Sequence, residues 1–438
     1  MSARNRELFA LVPASLLVAA GFAALFIQQS QRLSDVSLTY GAMFLGVCVA
    51  AHIVVRIRLP YADPYLLPLV SVLACFGLVV IYRLDEDKAL RQAGWFGFGL
   101  ILFTLTIVFL RDFRVLERYR YTIAAAGLAL LLLPRVPGIG QQVNGAYLGV
   151  GIGAFQFQPA EFGKLAIVIF LAAYLRDTRQ LLVQGARRVL GVTIPPLKHF
   201  GPLIVVWGAA MFLLFFIQDL GSSLMYFGGF LALLYVATNR VSFVTIGLVL
   251  FAVGAWGMYQ IRTHIQDRVA IWLHPFQPGL VEHQGYQIAQ SLFAQSDGGL
   301  FGTGFGQALL SVGGTPLLPA ADTDLIYAVI VNELGLVGAC GVLLVYLLVV
   351  ERGFRIATIA TDSFSKLLAA GLTAVFGLQV FVIVGGVTKV IPLTGVTLPF
   401  VSAGGSSVLA NFVLIALLLI ASDAARRDPL EQGGGLAS

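Results

Sequence analysis

The sequence predicts an all-α, polytopic integral membrane protein, and three observations carry that reading. Hydrophobic residues make up 58% of the 438 positions and charged residues only 11%, against about 25% charged in an ordinary soluble chain. Mean hydropathy is +0.89. Apolar runs of roughly 20 residues, the length an α-helix needs to cross a bilayer, recur along the chain. These exclude a disordered, collagen-like or ordinary soluble protein. The net charge of +6 therefore bears on membrane topology, not on nucleic-acid binding. Cys48, Cys75 and Cys340 each lie in an apolar run, with no CxxC pair and no histidine at ligand spacing. Neither a disulfide framework nor a zinc site is expected.

Twelve spans are expected, at about 9–28, 39–55, 65–82, 93–110, 121–134, 162–175, 200–217, 221–238, 242–260, 324–350, 367–388 and 405–421. The first follows a basic start and is too long for a signal-peptide core, so it reads as a retained anchor. With the second it makes an N-terminal pair, 1–60. The other ten form a core, 61–425, ahead of a polar tail, 426–438, for which no structure is expected. The fifth and sixth spans are short, and the Gly-rich 135–161 between them reads as a segment dipping into the membrane edge. A cytoplasmic N-terminus puts 19 of the 28 Lys and Arg inside and nine outside. The positive-inside rule then places both termini in the cytoplasm. The longest loop, 261–323, becomes extracytoplasmic, with a helical stretch near GYQIAQSLFAQ. Its His264, Trp272, His274 and His283 read as interfacial groups.

Ionisable groups in or at the ends of spans cost free energy and mark function by default. The outer face collects Glu161 and Lys164 in QPAEFGK, Asp219 in IQDLGSS, Asp322 and Asp324 in PAADTDLIYAV, Arg268 in the long loop, and Lys389. Each also has a structural reading. Glu161 and Lys164, three apart, suit a surface pair. Asp219, and one of Asp322 and Asp324, suit helix caps. Arg268 suits a headgroup anchor. Glu333 lies nine residues past Asp324, roughly 13 Å deeper on a regular helix and near the opposite face. It should pair with a neighbouring helix or line a second polar cavity. The stretch PLTGVTLPFVSAGGSS (392–407) cannot form a continuous helix. It is expected as a re-entrant turn beside the carboxylates, covered by protein or water.

Five segments in order, FQPAEFGK (157–164), QDLGSS (218–223), GYQIAQSLFAQSDGGLFGTGFGQ (285–307), DTDLIYAVIVNELGLVG (322–338) and PLTGVTLPFVSAGGSS (392–407), resemble the SEDS family (shape, elongation, division and sporulation). Its best-known members are RodA and FtsW. The two extra N-terminal helices and Lys389 in a GGVTK stretch look like the actinobacterial RodA-type pattern. The resemblance implies a peptidoglycan glycosyltransferase. It would polymerise lipid II into glycan strands at the outer face of the bacterial cytoplasmic membrane, beside a class B penicillin-binding protein that supplies the transpeptidase.

Carried over by motif, Asp324 falls on the family's essential aspartate and is the candidate base. Glu161, Lys164, Asp219, Asp322, Arg268, Lys389, Ser402 and Ser406 become candidates for binding substrate or pyrophosphate, and Glu333 an intramembrane polar residue. Several positions depart from the family pattern. Asp322 stands where histidine is frequent, Leu148 and Gly149 replace an Arg-Trp pair, and Ala403 replaces tyrosine. No metal site is assigned, although a divalent cation, Mg or Mn, stays open as a charge neutraliser. A lipid II flippase and a non-catalytic scaffold for the penicillin-binding protein are the rival readings. A carrier should hold its site near the midplane, whereas these carboxylates collect at one face.

Overall fold

The computed structural model describes residues 2–30, 35–110, 112–143, 146–152, 155–184, 187–189, 192–194, 208, 211–212, 220–282, 285–312 and 315–434. It is a helical bundle. An N-terminal pair, α1 (Ala3–Ser30) and α2 (Asp35–Arg58), precedes α3 (Leu66–Leu84) and α4 (Glu86–Phe109). The single turn α5 (Val115–Arg118) leads to α6 (Arg120–Leu132) and then α7 (Ala160–Gln184). After the expected span 200–217, which lies almost entirely outside the described residues, come α8 (Leu220–Thr238) and α9 (Val241–Ile261). The long loop carries α10 (Thr263–Leu273) and α11 (Tyr286–Gly298), and the chain closes with α12 (Ile326–Ile359), α13 (Ser363–Val387) and α14 (Gly405–Gly434).

Among the described residues, nine helices are long and apolar enough to cross a membrane. The expected spans at 121–134 and 162–175 also form helices, α6 and α7. The helix α14 continues to Gly434, past residue 426 where the sequence suggested an unstructured tail. The Gly-rich stretch before α7 forms a backbone meander, which the sequence reading did not anticipate. Its strands are β1 (Gly140–Val143), β2 (Ala146–Ile152) and β3 (Phe155–Phe157), paired antiparallel. Two further hairpins, Arg187–Val189 with Val192–Ile194 and Ser311–Val312 with Thr315–Pro316, complete the β structure among the described residues.

The helices α13 and α14 are the most enclosed and α9 the most peripheral, so the apolar periphery faces lipid while the centre packs on itself. Close approach there needs small residues: a Cβ on Gly77 of α3 would sit 2.5 Å from Val401 Cα. Polar contacts gather at two ends of the bundle, as the span assignment requires. At one end Glu7 pairs with Arg4 and lies 2.9 Å from His52 Nδ1. Nearby, Arg426 reaches Asp63 at 2.6 Å, and the Asp63 N–H donates to Ser422 Oγ at 3.0 Å. The other end holds Arg83, Lys88, Arg268, Asp322, Asp324 and Lys389.

Candidate active site at one end of the bundle

The site is assembled by a kinked helix, an irregular loop and the long-loop helices. In α12 the run NELG is interrupted at Gly335, whose φ of +66° and ψ of −172° suit glycine alone. A broken helix leaves backbone groups that hydrocarbon cannot satisfy. The loop after α11 satisfies them. Thr303 N–H and Gly304 N–H donate to the carbonyls of Asn332 and Glu333 at 2.9 and 3.1 Å. Leu336 N–H and Val337 N–H donate to Gly299 and Leu300 at 3.0 and 3.1 Å. The run DGGLFGTGFGQ is glycine-rich because the backbones touch there: a Cβ on Gly302 would lie 2.1 Å from Glu333 O.

Glu333 lies away from Asp324, as its spacing requires. It forms an ion pair with Arg83 of α3 at 3.4 Å, and Arg83 also donates to Gly306 O at 2.9 Å and Ala308 O at 3.1 Å. The pair fastens the loop to the kink.

Asp322 and Asp324 occupy the turn before α12. Asp324 is partly buried and faces the irregular loop between α13 and α14. There Gly395, at φ +74°, brings its backbone so near that a Cβ would lie 3.5 Å from Asp324 Oδ2. Burial, and then the Asp322 charge, push the Asp324 carboxyl up to about 6 against the opposing pull of Arg268. Asp322 is held by Lys88 of α4 at 2.9 Å. Arg268 of α10 donates to Leu393 O at 2.7 Å. Trp272, four residues on, donates to Lys389 O at 3.0 Å. Lys389 sits at the rim with φ +64° and its Nζ 3.5 Å from Leu273 O. The long-loop helix α10 thus brings Arg268 within the field of Asp324 and ties the Lys389 backbone to itself through Trp272.

Glu161 and Lys164 form a separate, deeper cluster. Lys164 is 2% exposed, with Nζ 2.5 Å from Glu161 Oε2 and 2.6 Å from Gln379 Oε1. Gln379 then donates to Thr397 O at 3.0 Å. Lys164 is therefore an internal strut between α7, α13 and the irregular loop. The serine hydroxyls are likewise engaged within the protein: Ser402 donates to Thr323 O at 2.7 Å and Ser406 accepts from Gln158 N–H at 2.8 Å. Asp219 lies outside the described residues. Gly149 sits in β2 opposite Gln141, in the meander leading to α7.

The sequence reading missed Gln379, Gln92 and the part played by Lys88. Gln379 sits in an otherwise apolar run, FGLQVF, and a lone uncharged amide there is a signal that the ionisable groups do not carry.

The chain matches the model of the FtsW/RodA/SpoVE family, described as "Cell cycle protein", over residues 64–427. It is 42% identical over 438 residues to the peptidoglycan glycosyltransferase RodA of Mycobacterium tuberculosis, covering 97% of this chain and 91% of that protein. Among solved structures it is similar to a chain described as "Structural coordination of polymerization and crosslinking by a peptidoglycan synthase complex". The TM-score is 0.66 and the identity 27%, covering 84% of this chain and 98% of the other. It is also similar to the rod shape determining protein RodA of Thermus thermophilus. There the TM-score is 0.59 and the identity 26%, with coverages of 82% and 96%.

Proposed function

The chain belongs to the FtsW/RodA/SpoVE family, and on that premise we propose that it is a peptidoglycan glycosyltransferase polymerising lipid II at the outer face of the bacterial cytoplasmic membrane. Its multi-pass architecture and the names of its relatives support this reading. The observation that carries the chemistry is Asp324. It is a carboxylate pushed up to about 6, close against the backbone of Gly395 and within the field of Arg268.

In the reaction a sugar 4-hydroxyl attacks the anomeric carbon of the donor glycan. The new C–O bond forms as the bond to the pyrophosphate breaks, and polyprenyl pyrophosphate leaves. A hydroxyl is a poor nucleophile, so a base that takes its proton in the transition state lowers the barrier. A carboxyl near 6 is ionised at neutral pH yet basic enough to accept that proton, and Asp324 takes this role. The departing pyrophosphate gathers negative charge, which positioned cations stabilise. Arg268 and Lys389, brought in by α10 and the end of α13, take that role. Lys164, closed inside its pair with Glu161, shapes the loop that carries Gly395.

Among the described residues, Asp322 and Asp324 are joined by no third acidic, His or Cys side chain to make a metal site, and Asp322 is engaged by Lys88. A Mg or Mn ion there would draw most of its oxygen ligands from the pyrophosphate. A class B penicillin-binding protein, as cross-linking partner, fits the relative solved as a peptidoglycan synthase complex.

The test is polymerisation of labelled lipid II by the purified chain with its cognate penicillin-binding protein, penicillin and moenomycin present. Glycan ladders should form and should vanish with Asp324→Asn. Ladders that persist in the variant would remove Asp324 from the base role. Lipid II crossing vesicle walls without ladders would make the chain a flippase.

A further inference from the structure

The outer end of α4 carries two side chains that none of the motifs includes, Lys88 and Gln92. They are four residues apart and share a helix face. Gln92 is buried, 6% exposed. Its Nε2 donates to Ser402 O at 3.2 Å and its Oε1 accepts Gly404 N–H at 3.1 Å. A primary amide gives and takes at once, so this one side chain clips both backbone directions of the turn. That turn holds the approach to Asp324. Ser402 Oγ donates to Thr323 O at 2.7 Å and accepts Leu398 N–H at 2.9 Å. Ala403 N–H donates to Asp322 O at 2.8 Å. Lys88 Nζ then takes the Asp322 carboxylate at 2.9 Å. Trp95, three residues past Gln92, packs where a Cβ on Gly405 would be 2.4 Å from its ring.

We propose that Gln92 and Lys88 are positioning residues for Asp324, through which α4 serves as the rigid backing of the catalytic turn. The two residues just before Asp324 are tied, by backbone and by side chain, to one face of a 24-residue helix. Loops hold a reacting group less precisely than regular elements do, and a displacement of about 1 Å can cost a hundredfold in rate. Lys88 has a second effect. The charged groups acting on Asp324 are Asp322 from its own turn and Arg268 from α10. Those acting on Asp322 include Lys88, backed by Asp85 at 3.9 Å. Lys88 therefore offsets the Asp322 charge that Asp324 feels.

This inference rests on Asp324 being the base, and the experiment separates the two. Initial polymerisation rates of the full chain with its penicillin-binding protein are measured against lipid II concentration and pH, for wild type, Gln92→Met, Lys88→Met, Lys88→Arg and Asp324→Asn. Thermal unfolding is the folding control. Gln92→Met should lower kcat roughly tenfold to a hundredfold with little change in KM. Lys88→Met should move the acid limb of the kcat profile up by about 0.5 pH unit, and Lys88→Arg should restore it. Should Gln92→Met fail to fold, the Lys88 pair decides alone. An unmoved acid limb in Lys88→Met, or a Gln92→Met defect confined to KM, overturns the inference if Asp324→Asn is inactive. An active Asp324→Asn overturns the base assignment, and the inference with it.

Discussion

Replacing Asp324 with Asn should make the protein more stable at neutral pH even as it removes activity. Burial in the outer turn and the neighbouring Asp322 charge raise the carboxyl from 3.8 to about 6. Each pKa unit is worth about 1.4 kcal/mol, so holding the carboxylate ionised in the fold costs at most about 3 kcal/mol at pH 7.5. Between pH 3.8 and 6 the folded chain keeps a proton the unfolded chain has lost. Stability from this residue is therefore complete below that window, falls as pH rises through it, and is level above. Asn carries no charge and escapes the cost. The variant's advantage should be about 3 kcal/mol at pH 7.5 and shrink to about 1 kcal/mol at pH 4.5. Unfolding midpoints of the purified protein in detergent, with wild type and variant side by side at the two pH values, read this directly. A destabilised variant, or a gain that is the same at both, would refute the claim that burial and like charge raise this carboxyl.

Three further outcomes follow from the same geometry. The wild-type kcat/KM profile should fall on the acid side with a midpoint near 6, where Asp324 gains its proton, as initial rates in a buffer series would show. Glu161→Gln should destabilise by about 3–5 kcal/mol, because it leaves the Lys164 ammonium buried among neutral amides, Gln379 at 2.6 Å, with its counter-charge gone. Its unfolding midpoint should drop where that of Asp324→Asn rises. Gly335→Ala should cost about 3 kcal/mol or more, since the new methyl would lie 2.3 Å from Gly302 N. Faster amide exchange at Thr303 and Leu336 would locate the damage at the kink.

Much of this was legible before any fold was available. Low charge and long apolar runs are enough to call for a helical membrane bundle, because only internally bonded helices or closed barrels satisfy the backbone in lipid. Glycines and prolines in 392–407 announce a break for the same reason. That Asp322, Asp324, Arg268 and Lys389 share one end of the bundle follows from counting spans, since alternate helix ends must share a face. The sequence could also exclude Glu333 from the pocket of Asp324, because nine residues of helix carry it to another depth and side.

Partners are another matter, since they depend on which helices touch. Lys88 and Asp322 are 234 positions apart, yet they pair at 2.9 Å. Lys164 reads as a pyrophosphate ligand by motif, but its ammonium is enclosed by Glu161 and Gln379. The Gly-rich run at 298–304 reads as loop and Gly335 as part of a continuous span, yet the backbones on either side of Gly335 bond that loop. The residues by themselves determined the solvent each segment needs, which charges gather at the same span ends, and the family to which the motifs belong. Tertiary packing alone decided which charges neutralise which, because a buried charge is set by its nearest partners and not by its neighbours in the chain.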